Sequence, residues 1–393
     1  MIKRVFYVSG GAADLIATHR YWGVGEDNAT ETSLTFSGQV ADFIFKRGGN
    51  GFLVSANART EILEDGRFVV EHLPKPRRSG LAWHIGEVVW CARLVKRARR
   101  FGADLALIDS GAIPFWTMRL FVLAGIPVIP ILHNTIWPHG FRPCSGIKRM
   151  VSLLDSRFFR SGPVAAIAVS PEAARQIDEI SPTRQPYPVK VALAQFRPTY
   201  FSGIAPPPNW SEAVFQMIFV GRITRSKGVF DILEIARICE ARIPGRVRWT
   251  ICGRGPDLDA LLKRVERDKL GALVDIRGWT SVCDMQAVYN QAHAAIIPTR
   301  SSFEEGMAMT AVEAILAGRP IVTNPVVPAH EVLAPAAALG RTNDPASHAE
   351  AVIALASDPA LYQKLRAACA DLGAPFYDRR NGLEAVLLEL IRV

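Results

Sequence analysis

The chain has 393 residues, of which 49% are hydrophobic and 21% are charged, and its formal net charge is +9 at pH 7. This length predicts two domains with ample cores, and the composition is that of a soluble globular protein. Lys and Arg outnumber Asp and Glu by 25 to 16 over residues 1–200, whereas the counts are 21 and 21 over residues 201–393. The whole positive excess therefore lies in the N-terminal half.

No segment predicts a secretion signal, a membrane span or a metal site. Met1 leads almost directly into a strand, and the most apolar stretch, Leu120–Leu132, is short and broken by Gly125, Pro127 and Pro130. The six cysteines form no CxxC pair and have no histidine at a ligand spacing, so neither a disulfide framework nor a zinc site is indicated. We expect reduced thiols and a cytoplasmic location.

The N-terminal half alternates short apolar strands with helices. A strand over 3–9 runs into the small-residue turn Gly10–Gly11, which fits either a tight turn or a close approach of backbone to a ligand. Further strands are predicted at 52–55, 68–72, 103–109, 127–132, 165–170 and 189–194, and helices near 37–47, 82–101, 113–124, 145–160 and 171–180. This alternation predicts a parallel sheet that is covered by helices on both faces.

Residues 204–213 contain three consecutive prolines, a composition typical of an interdomain linker. Residues 1–203 then form the first predicted domain, and the strand-helix alternation restarts in a second domain at 214–376. Residues 377–393 carry apolar side chains at helical spacing, so we expect a helix that packs back onto the first domain. Doubly wound sheets bind ligands beyond the carboxyl ends of their strands, which predicts a site in the cleft between the domains.

The most informative stretch is 296–324, whose pattern predicts strand, loop, helix, turn and strand. Glu305 precedes Gly306 just before the helix begins, and Gly318 with Arg319-Pro320 ends the helix. Glu313 lies inside this otherwise almost entirely apolar helix. A carboxylate in such surroundings needs a partner, because burying an unpaired charge is strongly destabilising.

Three strand-end loops of the second half carry candidate ligand groups. Arg222 and Lys227 supply donors that suit phosphate oxygens, although charge alone fits solvated loop cations as well. Gly253 and Gly255 would let a ligand approach the backbone, but the third glycine of a dinucleotide fingerprint is missing, which disfavours a nicotinamide enzyme. Trp279 fits either the border of a nucleobase site or a core or lid position.

Taken in order, these motifs resemble those of the retaining GT-B glycosyltransferases, a large family that includes sucrose synthases and bacterial mannosyl- and glucosyltransferases of lipid and polysaccharide assembly. The matching motifs are VGR-x4-KG at 220–228, GxGP at 253–256, the E-x7-E pair Glu305 and Glu313, and AGRP at 317–320. They cover residues 213–393, whereas the N-terminal half matches by fold pattern and a few positions. The resemblance implies an α/β fold of two Rossmann-like doubly wound domains that face each other across a cleft.

The resemblance also implies transfer of a sugar from a nucleoside diphosphate sugar to an acceptor hydroxyl, with retention of the anomeric configuration. Arg222 and Lys227 match the cations that hold the donor diphosphate. Glu305 matches the carboxylate that binds hydroxyls of the transferred sugar, and Glu313 the one that binds the ribose diol. The other implied donor-binding positions are Gly10, Gly11, Gly221, Gly253, Gly255, Trp279, Gly306, Met307, Ala308 and Met309.

His133 follows a predicted strand and, by the resemblance, matches a histidine that faces the reacting sugar. From the residues alone, a strand-end histidine bonded to backbone fits as well. The family often has a bulky aromatic residue and a glycine where this chain has Met307 and Ala308, a departure that concerns sugar specificity. We expect no metal and no cofactor, because cations and a helix N-terminus stabilise the leaving diphosphate, and Glu305 positions the sugar rather than attacking it.

The basic N-terminal half constrains the acceptor or its surroundings. Two predicted helices carry bases with apolar residues between them, namely Arg93, Lys96, Arg97 and Arg100 on the first, and Lys148, Arg149, Arg157 and Arg160 on the second. We hypothesise a lipid-linked or saccharide acceptor in polysaccharide, lipopolysaccharide or glycolipid assembly, reached by peripheral attachment to the anionic inner face of the cytoplasmic membrane. A solvated basic face fits the same pattern.

Two other functions are compatible with parts of the sequence. A nucleotide-sugar 2-epimerase of GT-B fold would share the two-domain cleft, but it needs acid and base residues around the sugar, and the motifs fit that group poorly. A basic nucleic-acid-binding protein would need a recognition module or interleaved aromatic and basic residues, and the sequence has neither. We therefore expect no nucleic-acid partner.

Overall fold

The computed structural model describes residues 2–26, 31–76, 78–181, 187–211 and 214–391. The chain divides into two compact units: unit 1 comprises Met1–Ile136, Pro143–Gln195 and Asp378–Val393, and unit 2 comprises Trp137–Arg142 and Phe196–Tyr377. The long passage into unit 2 begins at Phe196, ahead of the proline-rich segment 204–213. Residues 212 and 213 of that segment lie outside the described part of the chain.

Eight strands form one sheet in unit 1: β1 (Arg4–Val8), β2 (Asn50–Ser55), β3 (Glu61–Asp65), β4 (Phe68–His72), β5 (Leu105–Asp109), β6 (Val128–Leu132), β7 (Ala166–Ala168) and β8 (Val189–Val191). Their order is β3-β4-β2-β1-β5-β6-β7-β8. All neighbouring pairs are parallel except β3 and β4, which pair antiparallel at the edge. Strands β5 and β6 are buried at every residue, as a sheet covered on both faces requires.

Six helices accompany this sheet: α1 (Leu15–Gly23), α2 (Phe36–Lys46), α3 (Gly80–Phe101), α4 (Phe115–Leu123), α5 (Gly146–Ser161) and α6 (Pro171–Ile180). The side chains of Asp14, Thr35 and Ser170 cap the first turns of α1, α2 and α6, and Gly102, with φ of 70°, ends α3. Helices α3, α4 and α5 each lead to a parallel strand in the same direction across the sheet. Right-handed crossovers therefore place them on one face, with their first turns at the carboxyl edge.

Unit 2 begins with α7 (Pro198–Ser202) and contains six strands: β9 (Phe215–Val220), β10 (Val247–Cys252), β11 (Val274–Gly278), β12 (Ala294–Ile296), β13 (Ile321–Thr323) and β14 (Ala337–Leu339). Its other helices are α8 (Val229–Arg242), α9 (Leu258–Arg267), α10 (Val282–Gln291), α11 (Met309–Leu316), α12 (Ala329–Val332), α13 (Pro345–Ser357) and α14 (Pro359–Gly373). The sheet order is β11-β10-β9-β12-β13-β14, and every neighbouring pair is parallel.

The proline-rich segment packs onto unit 2 through its last described residues. The indole Nε1 of Trp210 donates a hydrogen bond to the carbonyl of Leu355, at 3.3 Å, and the Arg246 guanidinium lies 4.9 Å from the centre of the Trp210 ring. Arg319 donates to the carbonyl of Ala205, at 2.9 Å. Residues 204–211 are thus fixed against this unit.

The chain ends in α15 (Leu383–Leu390), which belongs to unit 1. Leu383 and Leu387 are fully buried in the core that also holds residues of α1 and α2. The N–H of Leu383 donates to the Gln39 side chain at 2.8 Å, and Lys46 Nζ lies 2.5 Å from Glu384 Oε1. Within the described ranges, no helix is both long and apolar enough to cross a bilayer.

Candidate functional site

The strand order of unit 2 reverses at β9. The chain runs from β9 outward through β10 and β11, and then returns to place β12 on the other side of β9. The loops that follow β9 and β12 therefore start side by side at the carboxyl edge of the sheet, where such folds bind ligands. These loops hold Arg222 and Lys227 on one side and Glu305 on the other.

Lys227 and Glu305 form an ion pair in this position. Lys227 Nζ lies 2.5 Å from Glu305 Oε2, and the Thr299 hydroxyl donates to the same oxygen at 3.0 Å. Glu305 is only 5% exposed, and Lys227 also lies 4.3 Å from the centre of the Phe303 ring. Oε1 of Glu305 accepts no hydrogen bond from any residue that the structure describes, so this oxygen is available to a ligand.

Arg222 differs from Lys227 because its side chain is unengaged. It is exposed, and its guanidinium makes no hydrogen bond or ion pair within the described ranges. It follows Gly221 directly at the end of β9. Its five N–H donors are therefore available for anionic oxygens at this edge of the sheet.

Helix α11 begins immediately after Glu305, through the segment Gly306, Met307 and Ala308. Ala308 is the N-cap residue, with φ of 57° and ψ of 81°, and its side chain offers no cap to the first turn. The first backbone N–H groups of the helix, starting at Met309, therefore receive no hydrogen bond acceptor from the side chain of the N-cap residue. Unpaired donors and the positive end of the helix dipole both favour an anion at this point.

The left-handed conformation of Ala308 predicts that the change Ala308→Gly stabilises unit 2. A Cβ atom in this region costs about 1 kcal/mol, and glycine is also the better N-cap residue. We expect the midpoint of thermal unfolding to rise by about 2–4 °C. The same change at Ala311, a fully buried residue in the first turn of the same helix, should lower it instead.

Gly253 and Gly255 serve the packing of two neighbouring loops. A Cβ atom at Gly253, where φ is 141°, would lie 1.8 Å from the carbonyl oxygen of Gly221, and one at Gly255 would lie 2.2 Å from that of Ile223. The N–H of Gly221 donates to the carbonyl of Cys252 at 3.0 Å. These glycines therefore let the loop after β10 support the loop that carries Arg222.

The change Gly253→Ala should destabilise the protein by about 3 kcal/mol, because its methyl group would overlap backbone that cannot move independently. Gly271 is a matched control, since a Cβ atom there meets nothing within 4 Å. Chemical denaturation measures both variants. A Gly253→Ala variant as stable as Gly271→Ala would show that the two loops are not packed as described.

Glu313 and Trp279 lie on other elements of unit 2. Glu313 is half-buried on α11. The pKa of Tyr200 and that of Tyr289 are raised, first by burial of each tyrosine and second by the negative charge of Glu313. Trp279, at the end of β11, is 60% exposed, and the Arg254 guanidinium lies 5.3 Å from its ring centre. Trp279 is thus a surface residue and not part of the core.

In unit 1, the strand-end residues converge on Asp109. One oxygen of this buried carboxylate, Oδ2, accepts from the Tyr7 hydroxyl at 2.7 Å and from the Gly10 N–H at 3.1 Å. The other, Oδ1, lies 3.0 Å from Nε2 of His133, and the backbone N–H of His133 donates to Ser110 Oγ at 2.8 Å. Asp109 therefore links the Gly10–Gly11 turn to His133.

The pair with Asp109 changes the acidity of His133. Burial alone would lower the pKa of His133, but the negative charge of Asp109, whose Oδ1 lies 3.0 Å from the ring, outweighs burial and raises the pKa. The Phe36 ring also packs edge-on against the imidazole, with ring centres 4.6 Å apart. His133 is thus a fixed side chain that holds a proton more tightly than a free histidine.

Residues 204–371 match the sequence model of the family Glycosyl transferases group 1. The match covers somewhat less than half of the chain, and it shows that this part is similar to group 1 glycosyltransferases. Comparison of the whole chain with proteins of curated function found no significant sequence match.

The chain is similar to several solved structures over its whole length. Sucrose-phosphate synthase from Thermosynechococcus elongatus is 13% identical, with 98% of each chain covered and a TM-score of 0.72. The α,α-trehalose 6-phosphate synthase from Burkholderia multivorans is 14% identical, with 99% and 96% covered and a TM-score of 0.71. Anabaena HepE, in complex with UDP and glucose, is 16% identical, with both chains fully covered and a TM-score of 0.65. At these identities the likeness shows the fold, which is GT-B.

Sequence reasoning missed several residues that shape the candidate sites of this protein. Thr299 and Phe303, which fix Glu305 and Lys227, lie in an irregular loop with no periodic pattern. The sequence predicts Asp109 and Tyr7 only as parts of strands. Asp109 carried a signal nonetheless, because it is the one charged residue of an otherwise apolar buried strand.

Proposed function

We propose that this protein is a glycosyltransferase that moves a sugar from a nucleoside diphosphate sugar to an acceptor hydroxyl, with retention of the anomeric configuration. The observation that carries the proposal is the state of Glu305. Lys227 and Thr299 hold one of its oxygens, while the other remains free to accept a hydrogen bond from a sugar hydroxyl. The UDP and glucose bound to HepE, a protein of the same fold, support a donor of this class.

The donor diphosphate would bind between the cations and the first turn of α11. Arg222 has a free guanidinium, and Lys227 adds a second positive charge in the same loop after β9. The N–H groups from Gly306 to Met309 lead into a helix without a side-chain cap. Negative charge on the diphosphate grows as the glycosidic bond breaks. These groups therefore stabilise the transition state more than the ground state, and the step needs no metal ion.

The nucleoside half of the donor would lie along the loops of unit 2. Glu313, a carboxylate on a helix that is otherwise almost entirely apolar, is suited to bind the two ribose hydroxyls. Trp279 offers an exposed indole as a surface against which a base could stack. We also assign Gly221, Gly253 and Gly255 to this region, where they set the course of the loops around the donor.

Unit 1 would supply the acceptor site and part of the sugar site. The turn Gly10–Gly11 would meet the donor phosphates, and His133 would contact the reacting sugar with Asp109 behind it. We propose that the acceptor hydroxyl attacks the same face of the sugar from which the diphosphate leaves. The departing phosphate then helps to take the proton of the acceptor hydroxyl. Glu305 then binds and orients the sugar and is not a nucleophile.

We further propose that the acceptor is a saccharide or a lipid-linked sugar in polysaccharide, lipopolysaccharide or glycolipid assembly. The enzyme would attach peripherally to the anionic inner face of the cytoplasmic membrane. Exposed cations lie on two helices of unit 1, namely Lys148, Arg149, Arg157 and Arg160 on α5, and Arg93, Lys96 and Arg100 on α3. Arg97 is instead bound to Glu71, with Nε–Oε2 and Nη2–Oε1 distances of 2.6 and 2.7 Å. A sedimentation assay with anionic vesicles at low salt tests this attachment, and no binding would remove it.

The transferase proposal is tested by incubating the protein with a panel of nucleoside diphosphate sugars, including UDP-glucose. We expect one donor to be hydrolysed slowly, with release of nucleotide, and the released sugar to keep the anomeric configuration of the donor in proton NMR spectra. EDTA should leave the rate unchanged, since charge on the diphosphate is balanced by protein groups.

Other outcomes of the same incubation would contradict the proposal. Interconversion of two nucleotide sugars without nucleotide release would identify a 2-epimerase. Complete loss of hydrolysis with EDTA would show that a metal ion balances the diphosphate charge instead of Arg222 and Lys227. A released sugar of the opposite anomeric configuration would exclude retention.

A further inference from the structure

The first half of helix α5 lies ahead of the point at which α5 packs against the start of α4. The N–H of Trp116, at the start of α4, donates to Asp155 Oδ1 at 2.9 Å, which places the start of α4 beside the second half of α5. The stretch from Gly146 to Asp155 corresponds to about 13 Å of helix. Residues 144–150 are all exposed, so the first turns of α5 project from unit 1.

These first turns are poorly suited to water. Ser145 forms no side-chain cap, the first turn has no acid, and Lys148 and Arg149 lie at the positive end of the helix dipole. Ile147 and Met150 are 72% and 66% exposed. An anionic, apolar interface would remove both penalties, because it would balance the bases and cover the apolar side chains.

An open cavity of about 490 Å³ lies where α5 meets α4, lined by Trp116, Arg119, Leu154, Arg157, Arg160 and Ser161. Its three arginines make no ion pair or hydrogen bond within the described ranges. Asp155 is the only acid in the sequences of α4 and α5. Burial raises its pKa to about 7, against the lowering effect of the Trp116 N–H, so at neutral pH Asp155 is only partly ionised and cannot balance the charge of three arginines.

We propose that this α4–α5 cavity binds the phosphate of an anionic phospholipid headgroup while α5 lies in the membrane interface. Guanidinium groups bind phosphate oxygens in pairs of parallel hydrogen bonds. Ile147, Met150, Leu154 and Arg157 follow one another at i, i+3, i+7 and i+10, so one face of the helix leads from exposed apolar side chains into the arginines. This inference locates the membrane attachment proposed above and rests on it.

The apolar face decides between a lipid and a free phosphate as the occupant. A soluble phosphate would use the arginines alone and would leave Ile147 and Met150 in water. A lipid surface uses both sets, with apolar side chains in the acyl boundary and bases at the level of the phosphates. The occupant is therefore a phospholipid in a bilayer.

The test compares two variants of the full chain that lose the same charge. The first is R119Q/R157Q/R160Q in the cavity, and the matched control is R93Q/K96Q/R100Q on α3. In sedimentation with vesicles of phosphatidylcholine and phosphatidylglycerol, the cavity variant should lose binding on the order of a hundredfold. The control should stay within a few-fold of the native protein. Equal losses in the two variants, or none in the first, would overturn the site.

Two further experiments test whether the apolar side chains of α5 contact the membrane and whether the bound phosphate comes from a lipid or from solution. The change I147S/M150S should abolish the vesicle binding that survives at high salt, whereas I62S/L262S, at exposed sites on β3 and α9, should not. Inorganic phosphate at constant ionic strength should leave vesicle binding intact, and displacement would identify a free-phosphate site instead. Donor hydrolysis, measured on every variant, should be unchanged, so that a failure of the transferase proposal is recognised separately.

Discussion

The variant Glu305→Gln should lose transfer activity on the order of a hundredfold to a thousandfold in kcat while it remains folded. The amide keeps the shape of the side chain but not its charge. It therefore weakens the hydrogen bond that Oε1 would accept from the donor sugar, and it leaves Lys227 without its 2.5 Å partner. Lys227 is partly exposed, so its unpaired charge should cost less than about 2 kcal/mol of stability.

Glu304 provides the control for this variant, because it is the adjacent carboxylate of the same loop and makes no hydrogen bond or ion pair within the described ranges. Glu304→Gln should keep kcat within about twofold of the native enzyme. Both variants are measured at saturating donor, with thermal unfolding recorded alongside. Near-normal turnover of Glu305→Gln under these conditions would remove Glu305 from the sugar site.

The variant Asp109→Asn should destabilise unit 1 by about 3 kcal/mol, because it breaks a buried ion pair and leaves the imidazole of His133 without its carboxylate. The loss should depend on pH. The folded-state pKa of His133 is raised, so its contribution to stability is fully present below the unfolded value of about 6.5 and disappears as pH rises through the folded value. The difference between variant and native protein should therefore be largest in mild acid.

Asp104→Asn is a suitable control for this change. Asp104 lies just before β5, the strand that Asp109 ends, and it accepts two backbone N–H groups at 2.8 Å, but it is exposed. Chemical denaturation across pH measures both variants, and proton NMR titration follows the His133 ring. If the destabilisation of Asp109→Asn were independent of pH, or if the pKa of His133 did not fall, Asp109 would not be the group that holds the proton.

Much of the fold followed from the pattern of the sequence because its strands are buried on both faces. Such strands are short apolar runs, and the runs that end at Val8, Asp109 and Leu132 were predicted to within a few residues. The antiparallel strand β3 was missed because it reads EILED and lies at an exposed edge. Helices α13 and α14 were missed although Asp344 and Asp358 cap their first turns.

The candidate site was predictable in its parts but not in its connections. The sequence identified Glu305 and Lys227 separately, and strand order then explains why loops 78 residues apart in sequence meet in an ion pair. The sequence could not show that Gly253 faces a neighbouring carbonyl, because close packing of two loops leaves no periodic signal. Nor could composition show that Asp109 joins the Gly10 turn to His133.

Ala308 is a position that the sequence marks as unusual and for which the structure gives the physical reason. The sequence revealed only a departure from the glycine common at this position. The structure supplies a physical reason for glycine there, since the residue adopts a positive φ at the N-cap of α11. A residue that contradicts a local backbone preference, next to the proposed sugar-binding carboxylate, is the kind of position at which strain accompanies function.

Calorimetric titration of the native protein and of Glu305→Gln with the preferred nucleoside diphosphate sugar, and with the corresponding nucleoside diphosphate, tests the central claim most directly. If Glu305 binds the sugar, the variant should bind the nucleoside diphosphate as tightly as the native protein does, because Lys227 remains to hold the phosphates. It should also lose the additional affinity that the sugar confers. Equal weakening of both ligands, or of neither, would contradict the assignment of Glu305 to the transferred sugar.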